Sequence, residues 1–132
     1  LDLAMQFAVD IVNLCEGLKG KNVLTNQLLR SGTSIGANVS EAERGQSKPD
    51  FYAKMAISLK EANETHYWIS LLHATQYISD KEHASLDADI NEIISILVAN
   101  VIQKTKKTNK IRFLFRVLLL LMHPQQKHRP QT

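Results

Sequence analysis

An all-α fold, an antiparallel up-down bundle of four helices, is what this 132-residue sequence predicts, and three observations predict it. The five glycines stand at 17, 20, 32, 36 and 45 and the three prolines at 49, 124 and 130, so residues 50–123 contain no helix breaker. Apolar residues recur every three or four positions from Leu3 to Val101, the period of one helical face. Two start signals, Ser47-Lys48-Pro49-Asp50 and Ser79-Asp80-Lys81-Glu82, open new helices a few residues after the previous ones end. The length suits one domain.

The first helix is expected over about residues 2–18, through Leu3, Phe7, Ile11, Leu14 and Leu18, and ends at Gly17 to Gly20. The second runs from about 23 to 45 through Leu24, Leu28, Ile35, Val39 and Ala42. Its Ser31-Gly32-Thr33-Ser34 stretch has poor helix propensity, so packing must hold it. The third starts at the Ser47 cap and continues through Phe51, Met55, Leu59, Ala62, His66, Ile69 and His73 to about Tyr77. The fourth, from about 80 to 107, follows the Ser79–Glu82 capping box through Leu86, Ile90, Ile93, Leu97 and Val101. The bundle thus spans 2–107, with 108–132 a separate basic and apolar tail.

The fourth helix carries more apolar surface than one bundle seam needs. At ~100° per residue its Ile and Val side chains spread over roughly 240°, against the ~100° of a core-facing stripe. A second interface on this helix is expected, formed by Ile94, Val98 and Ile102 between copies of the chain. Beyond it, Ile111 to Met122 is too short to span a bilayer. Such a run can extend the fourth helix, lie in a membrane interface with its arginines snorkelling, or be an appendage.

Composition is ordinarily globular, with 44% hydrophobic and 22% charged residues. The net charge of +3 conceals a division, because residues 1–103 hold eight bases and all thirteen acids, a net of −5, whereas 104–132 hold eight bases and no acid. A generally electropositive body is therefore excluded. One cysteine, Cys15, excludes an internal disulfide framework and a Cys-rich zinc site. No charged-then-apolar leader is visible, so a cytoplasmic location is expected.

Catalytic and metal chemistry finds little support in the residues. No Glu is followed three positions later by His, as a di-iron bundle requires. Glu61 and Glu64 share a helix face and read as salt-bridge partners for Lys54, Lys60 or another chain. His66 and His73 also share a face but have no third ligand in register. Cys15 lies among apolar neighbours, where a thiol keeps its proton. Gly32-Thr33-Ser34-Ile35-Gly36 lacks the Lys-Ser/Thr ending of a phosphate loop and follows no strand. Gly32, Ser34 and Gly36 read instead as small residues that admit a neighbouring helix, and Asn38 as a polar residue fixing register between helices. Tyr67 and Trp68 could stack on nucleobases, yet aromatics at helical spacing are more often packing anchors. No enzyme, cofactor, metal or small-molecule substrate is expected.

The segment Gln27-Leu28-Leu29-Arg30-Ser31-Gly32-Thr33-Ser34-Ile35-Gly36-Ala37-Asn38-Val39-Ser40-Glu41-Ala42, followed by Lys60-Glu61-Ala62-Asn63-Glu64-Thr65-His66-Tyr67-Trp68, resembles the bacterial four-helix-bundle proteins encoded within intervening sequences of 23S ribosomal RNA genes. The likeness covers about residues 2–107 and centres on Arg30, Ser34, Ile35, Asn38 and Glu41. That family also looks related to the accessory variability determinants of diversity-generating retroelements. The resemblance implies a ring-shaped homopentamer, no catalytic activity, and RNA or DNA as a partner, with a reverse transcriptase as a further one. Nucleic acid would be held by Arg30, Arg44, Lys48 and Lys54 if they cluster on one surface of the ring. A protein-interaction or structural assembly module that never touches nucleic acid is the alternative.

Overall fold

The computed structural model describes residues 1–18, 22–108 and 111–122, and these are helical with short connections. The helices are α1 (Asp2–Gly17), α2 (Asn22–Glu43), α3 (Lys48–Ala74), α4 (Asp80–Thr108) and α5 (Ile111–Met122). The side chains of Lys104, Lys106, Lys107, Lys110 and Arg112 lie outside the described residues.

Local chemistry sets the helix ends where the sequence marks them. The Ser47 hydroxyl accepts from the Asp50 amide at 3.3 Å, with Pro49 in the first turn. At α4 the capping box is reciprocal: the Glu82 amide donates to the Ser79 hydroxyl at 3.1 Å, and the Ser79 amide donates to Glu82 Oε1 at 3.0 Å. The α3 terminus comes three residues before the expected Tyr77. Gln76 there adopts a left-handed φ of 65°, the Tyr77 amide reaches back to the Leu72 carbonyl at 2.9 Å, and the Gln76 amide to that of His73 at 3.0 Å. This is a Schellman closure with glutamine where glycine is usual.

Each helix packs on the next, and α4 returns to α1, which closes the up-down bundle. The core combines Phe7 and Ile11 of α1, Leu28 and Ile35 of α2, Leu59, Ile69 and Leu72 of α3, and Ile90 of α4. Fully burying side chains of this size stabilises by about 1.5–3 kcal/mol each. The α1–α2 crossing is close because of the glycines. A Cβ on Gly32 would stand 3.1 Å from Ile11 Cγ2, and one on Gly36 would stand 3.6 Å from the Ala4 backbone. By contrast α1 leans only lightly on α4, and an apolar cavity of about 230 Å³ opens between them, lined by Leu3, Ala4, Ile35, Met55, Ile93 and Leu97.

The tail is not a continuation of α4. Helix α5 folds against α4 and touches α3, with Leu118 buried in the core cluster and Val98 and Ile102 packed beneath it. The apolar arc of α4 is therefore divided. Leu86, Ile90, Ile93, Leu97 and Val101 face the core, Ile94, Val98 and Ile102 are half-buried, and Ile96 remains exposed. Val98 and Ile102, expected to meet another copy of the chain, are covered at least in part by the chain's own fifth helix, because Leu118 supplies the apolar partner they need.

Candidate nucleic-acid interface

The antiparallel pairing of α2 and α3 brings Arg30 and Glu41 of α2 beside Glu61, Glu64 and Lys54 of α3. Arg30 on α2 faces Glu61 and Glu64 on α3, donating from one terminal nitrogen to Glu61 Oε2 at 3.2 Å and from the other to Glu64 Oε1. Gln27 Oε1 accepts from Arg30 Nε at 3.4 Å, and the Trp68 indole N–H donates to Glu64 Oε1 at 3.3 Å. About three turns further along α2, Lys54 meets Glu41 at 2.6 Å. The partner of Glu61 and Glu64 is thus Arg30, not Lys54 or Lys60. A partner on the facing helix cannot be read from spacing within α3 alone.

The charges in this cluster are mutually reinforcing. The hydrogen bond to Glu64 pushes the Arg30 guanidinium above its ordinary pKa. Partial burial works against the Glu64 carboxylate, but the hydrogen bonds from Arg30 and Trp68 outweigh it and hold the group below its usual range. Arg30 is a bidentate-capable cation already committed to two acids.

The four candidate phosphate-binding residues are consequently unequal. Arg30 and Lys54 are neutralised within the chain. Arg44 and Lys48 are exposed at the α2–α3 connection and make no ion pair among the described residues. Arg44 follows directly on the end of α2, fourteen positions beyond Arg30, a helical rise of about 21 Å. Within one chain, therefore, the four do not form a contiguous positive patch.

The small residues of α2 take several roles. Gly32 and Gly36 are buried against α1, while Ser34 and Asn38 hydrogen-bond within their own helix: the Ser34 hydroxyl to the Arg30 carbonyl at 2.6 Å, and the Asn38 amide to the Ser34 carbonyl at 2.8 Å. Register between α2 and α3 is marked instead by Ser58, whose fully buried hydroxyl donates to the Ile35 carbonyl at 2.9 Å. Its signal was present in the sequence, since Ser58 falls on the apolar face shared by Met55, Leu59 and Ala62.

The remaining reactive side chains are tied to structural partners. His66 Nε2 lies 3.1 Å from Asp87 and His73 Nε2 lies 2.8 Å from Asp80, joining α3 to α4, and the His73 ring stacks on that of His83 at 3.8 Å. Among the described residues no three His, Cys, Asp or Glu side chains converge as metal ligands do. Burial pushes the Cys15 thiol up, and its sulfur donates to the Thr25 carbonyl at 3.7 Å, an unreactive setting. Tyr67 and Trp68 meet edge to face at 5.0 Å, with Trp68 packed on the core and Tyr67 exposed.

Comparison with known proteins agrees with this architecture. Residues 1–99 match the family model described as 23S rRNA-intervening sequence protein. A crystal structure of a protein of unknown function from the S23 ribosomal protein family of Bacteroides thetaiotaomicron is 48% identical, with a TM-score of 0.73 and an alignment covering 76% of this chain and 95% of that one. No curated protein matches.

Proposed function

The chain belongs to the 23S rRNA-intervening sequence protein family, and from that membership we propose that it is a non-enzymatic accessory protein working as an assembly of identical copies. The observation that carries this reading is a second apolar stripe on α1. Met5, Val9 and Val12 are exposed on the side of the helix turned away from Phe7 and Ile11, and Leu1, the cap residue at the edge of the α1–α4 cavity, is exposed in line with them. Four such residues at spacings of four and three form a continuous strip that water solvates poorly. The proposed assembly is a ring of five, the size that the family resemblance implies. Multi-angle light scattering of the whole chain tests it. A multimer that Val9→Glu breaks down is the expected result, whereas a monomer at micromolar concentration overturns it.

Contact with RNA or DNA is a second reading, favoured by Arg44 and Lys48, which are exposed and make no ion pair among the described residues. Repeated around an oligomer, these two exposed cations of each copy act together on a polyanion. The expected binding is weak, independent of base sequence and steeply reduced by salt. Fluorescence anisotropy with a labelled single-stranded RNA and a duplex DNA measures it. If the Arg44→Glu, Lys48→Glu double variant binds as the unmodified chain does, the α2–α3 connection is not the contact, and the assembly-module reading stands without nucleic acid.

A further inference from the structure

Helix α5 is docked on one side and unsatisfied on the other. Its inner side places Leu118 over Val98 and Ile102. Its outer side leaves Leu120 75% exposed. Phe115 and Leu119 line the gap over Val98 and Ile102 and are themselves partly exposed at its rim. Around the helix, Arg116 falls between Leu119 and Leu120, about 60° from one and about 40° from the other. The segment 104–132 that contains α5 holds eight bases and no acid.

We propose that the outer face of α5 is a membrane-surface contact, on which Leu119 and Leu120 enter the acyl boundary of an anionic bilayer while Arg116 stays among the headgroup phosphates. The helix lies flat. Twelve residues at ~1.5 Å each span about 18 Å, well short of the ~30 Å hydrocarbon layer, and among the described residues no helix is long and apolar enough to cross it. A guanidinium flanked by leucines suits this boundary, because its stem joins the apolar layer and its head reaches phosphate.

Two other occupants fit less well. Nucleic acid would use the bases but gains nothing from Leu119 and Leu120, which have neither the ring nor the charge that RNA engages, and the one described ring of α5, Phe115, lines the gap over Val98 and Ile102. Pairing α5 with its counterpart in a second copy would bring two acid-free segments together, and their like charges repel. An anionic lipid surface satisfies both the apolar residues and the excess charge, each nearby base improving partition about fivefold.

Co-sedimentation of the full chain with vesicles tests the assignment. One set is phosphatidylcholine alone and the other contains a third phosphatidylglycerol, each at low and high salt. Binding to the anionic set, weakened by salt and absent from the neutral set, is expected. Leu120→Glu should reduce partition by at least about tenfold, since it removes an inserted side chain and adds a repelled charge. Val23→Glu is the control, because Val23 on α2 is 76% exposed and outside α5, and it should leave binding unchanged. Both sites are solvent-facing, and circular dichroism verifies that each variant folds. The proposal is overturned by absence of binding to anionic vesicles, by Leu120→Glu binding as well as the parent, or by Val23→Glu losing as much. It is equally overturned if vesicles are ignored while an RNA homopolymer binds, or while Leu120→Glu lowers the mass of an oligomer.

Discussion

Gln76 holds a backbone conformation that a side chain disfavours, with φ at 65° in the turn that ends α3. A left-handed non-glycine residue costs about 1–2 kcal/mol, partly offset in a glycine variant by the larger entropy of the unfolded chain. Gln76→Gly should therefore stabilise the protein by about 0.5–1 kcal/mol, read as a higher urea midpoint at unchanged slope. Glu64 leads to a different kind of test. Its folded pKa is depressed, so the unfolded chain takes up this proton first as acidity rises. The stabilisation is present above the ordinary carboxylate value of 4.5 and is lost as pH falls through the folded value. Glu64→Gln should cost about 0.5–1 kcal/mol at pH 7, the range of a partly exposed pair, and the gap from the parent should narrow at a second, acidic pH well below 4.5. A gap of equal size at both pH values would mean that the ion pair is not its source.

Among the elements, the α1–α2 crossing is the most sensitive to side-chain size. A methyl at Gly36 meets Ala4 at ordinary contact distance, so Gly36→Ala should be neutral or stabilise by up to about 1 kcal/mol through helix propensity. Gly36→Leu should destabilise by roughly 1–3 kcal/mol, because the added carbons have only the Ala4 backbone to occupy. Thermal melts of the two variants are expected to shift little or upward for the first and downward for the second. The sequence announced this contact through two glycines four apart on one face. It also announced the α3 and α4 starts through Ser47, Ser79 and Glu82, since capping is local chemistry written within four residues. The end of α3 was less legible, because glutamine at a left-handed position carries no mark. The polar cluster was half legible: the spacing of Glu61 and Glu64 shows that they share a face, but their pairing with Arg30 depends on how α2 and α3 are aligned. The docking of α5 was not legible, since an apolar run does not say which surface it will cover.

For the molecule as a whole, the division of charge and apolar surface outlines its external relations. The bundle through residue 103 has a net charge of −5 and exposes the α1 stripe, while the remainder has eight bases and carries α5. Salt should therefore act in opposite senses on the two. It should favour self-association through α1 by screening repulsion between acidic bodies, and oppose anionic partners of the basic segment. Light scattering and vesicle co-sedimentation at matched ionic strengths measure both responses, and a parallel response would show that one surface serves both. The α2–α3 hairpin has a further consequence, which concerns time. Arg30 with Glu61, Ile35 with Ser58, and Glu41 with Lys54 all close across one short turn, so these contacts form with small chain excursions. The hairpin is the natural place for the transition state to gather, with α1, lightly held by α4, arriving afterwards. In stopped-flow chevrons Ser58→Ala should slow refolding, whereas Gly36→Leu should leave refolding nearly unchanged and hasten unfolding.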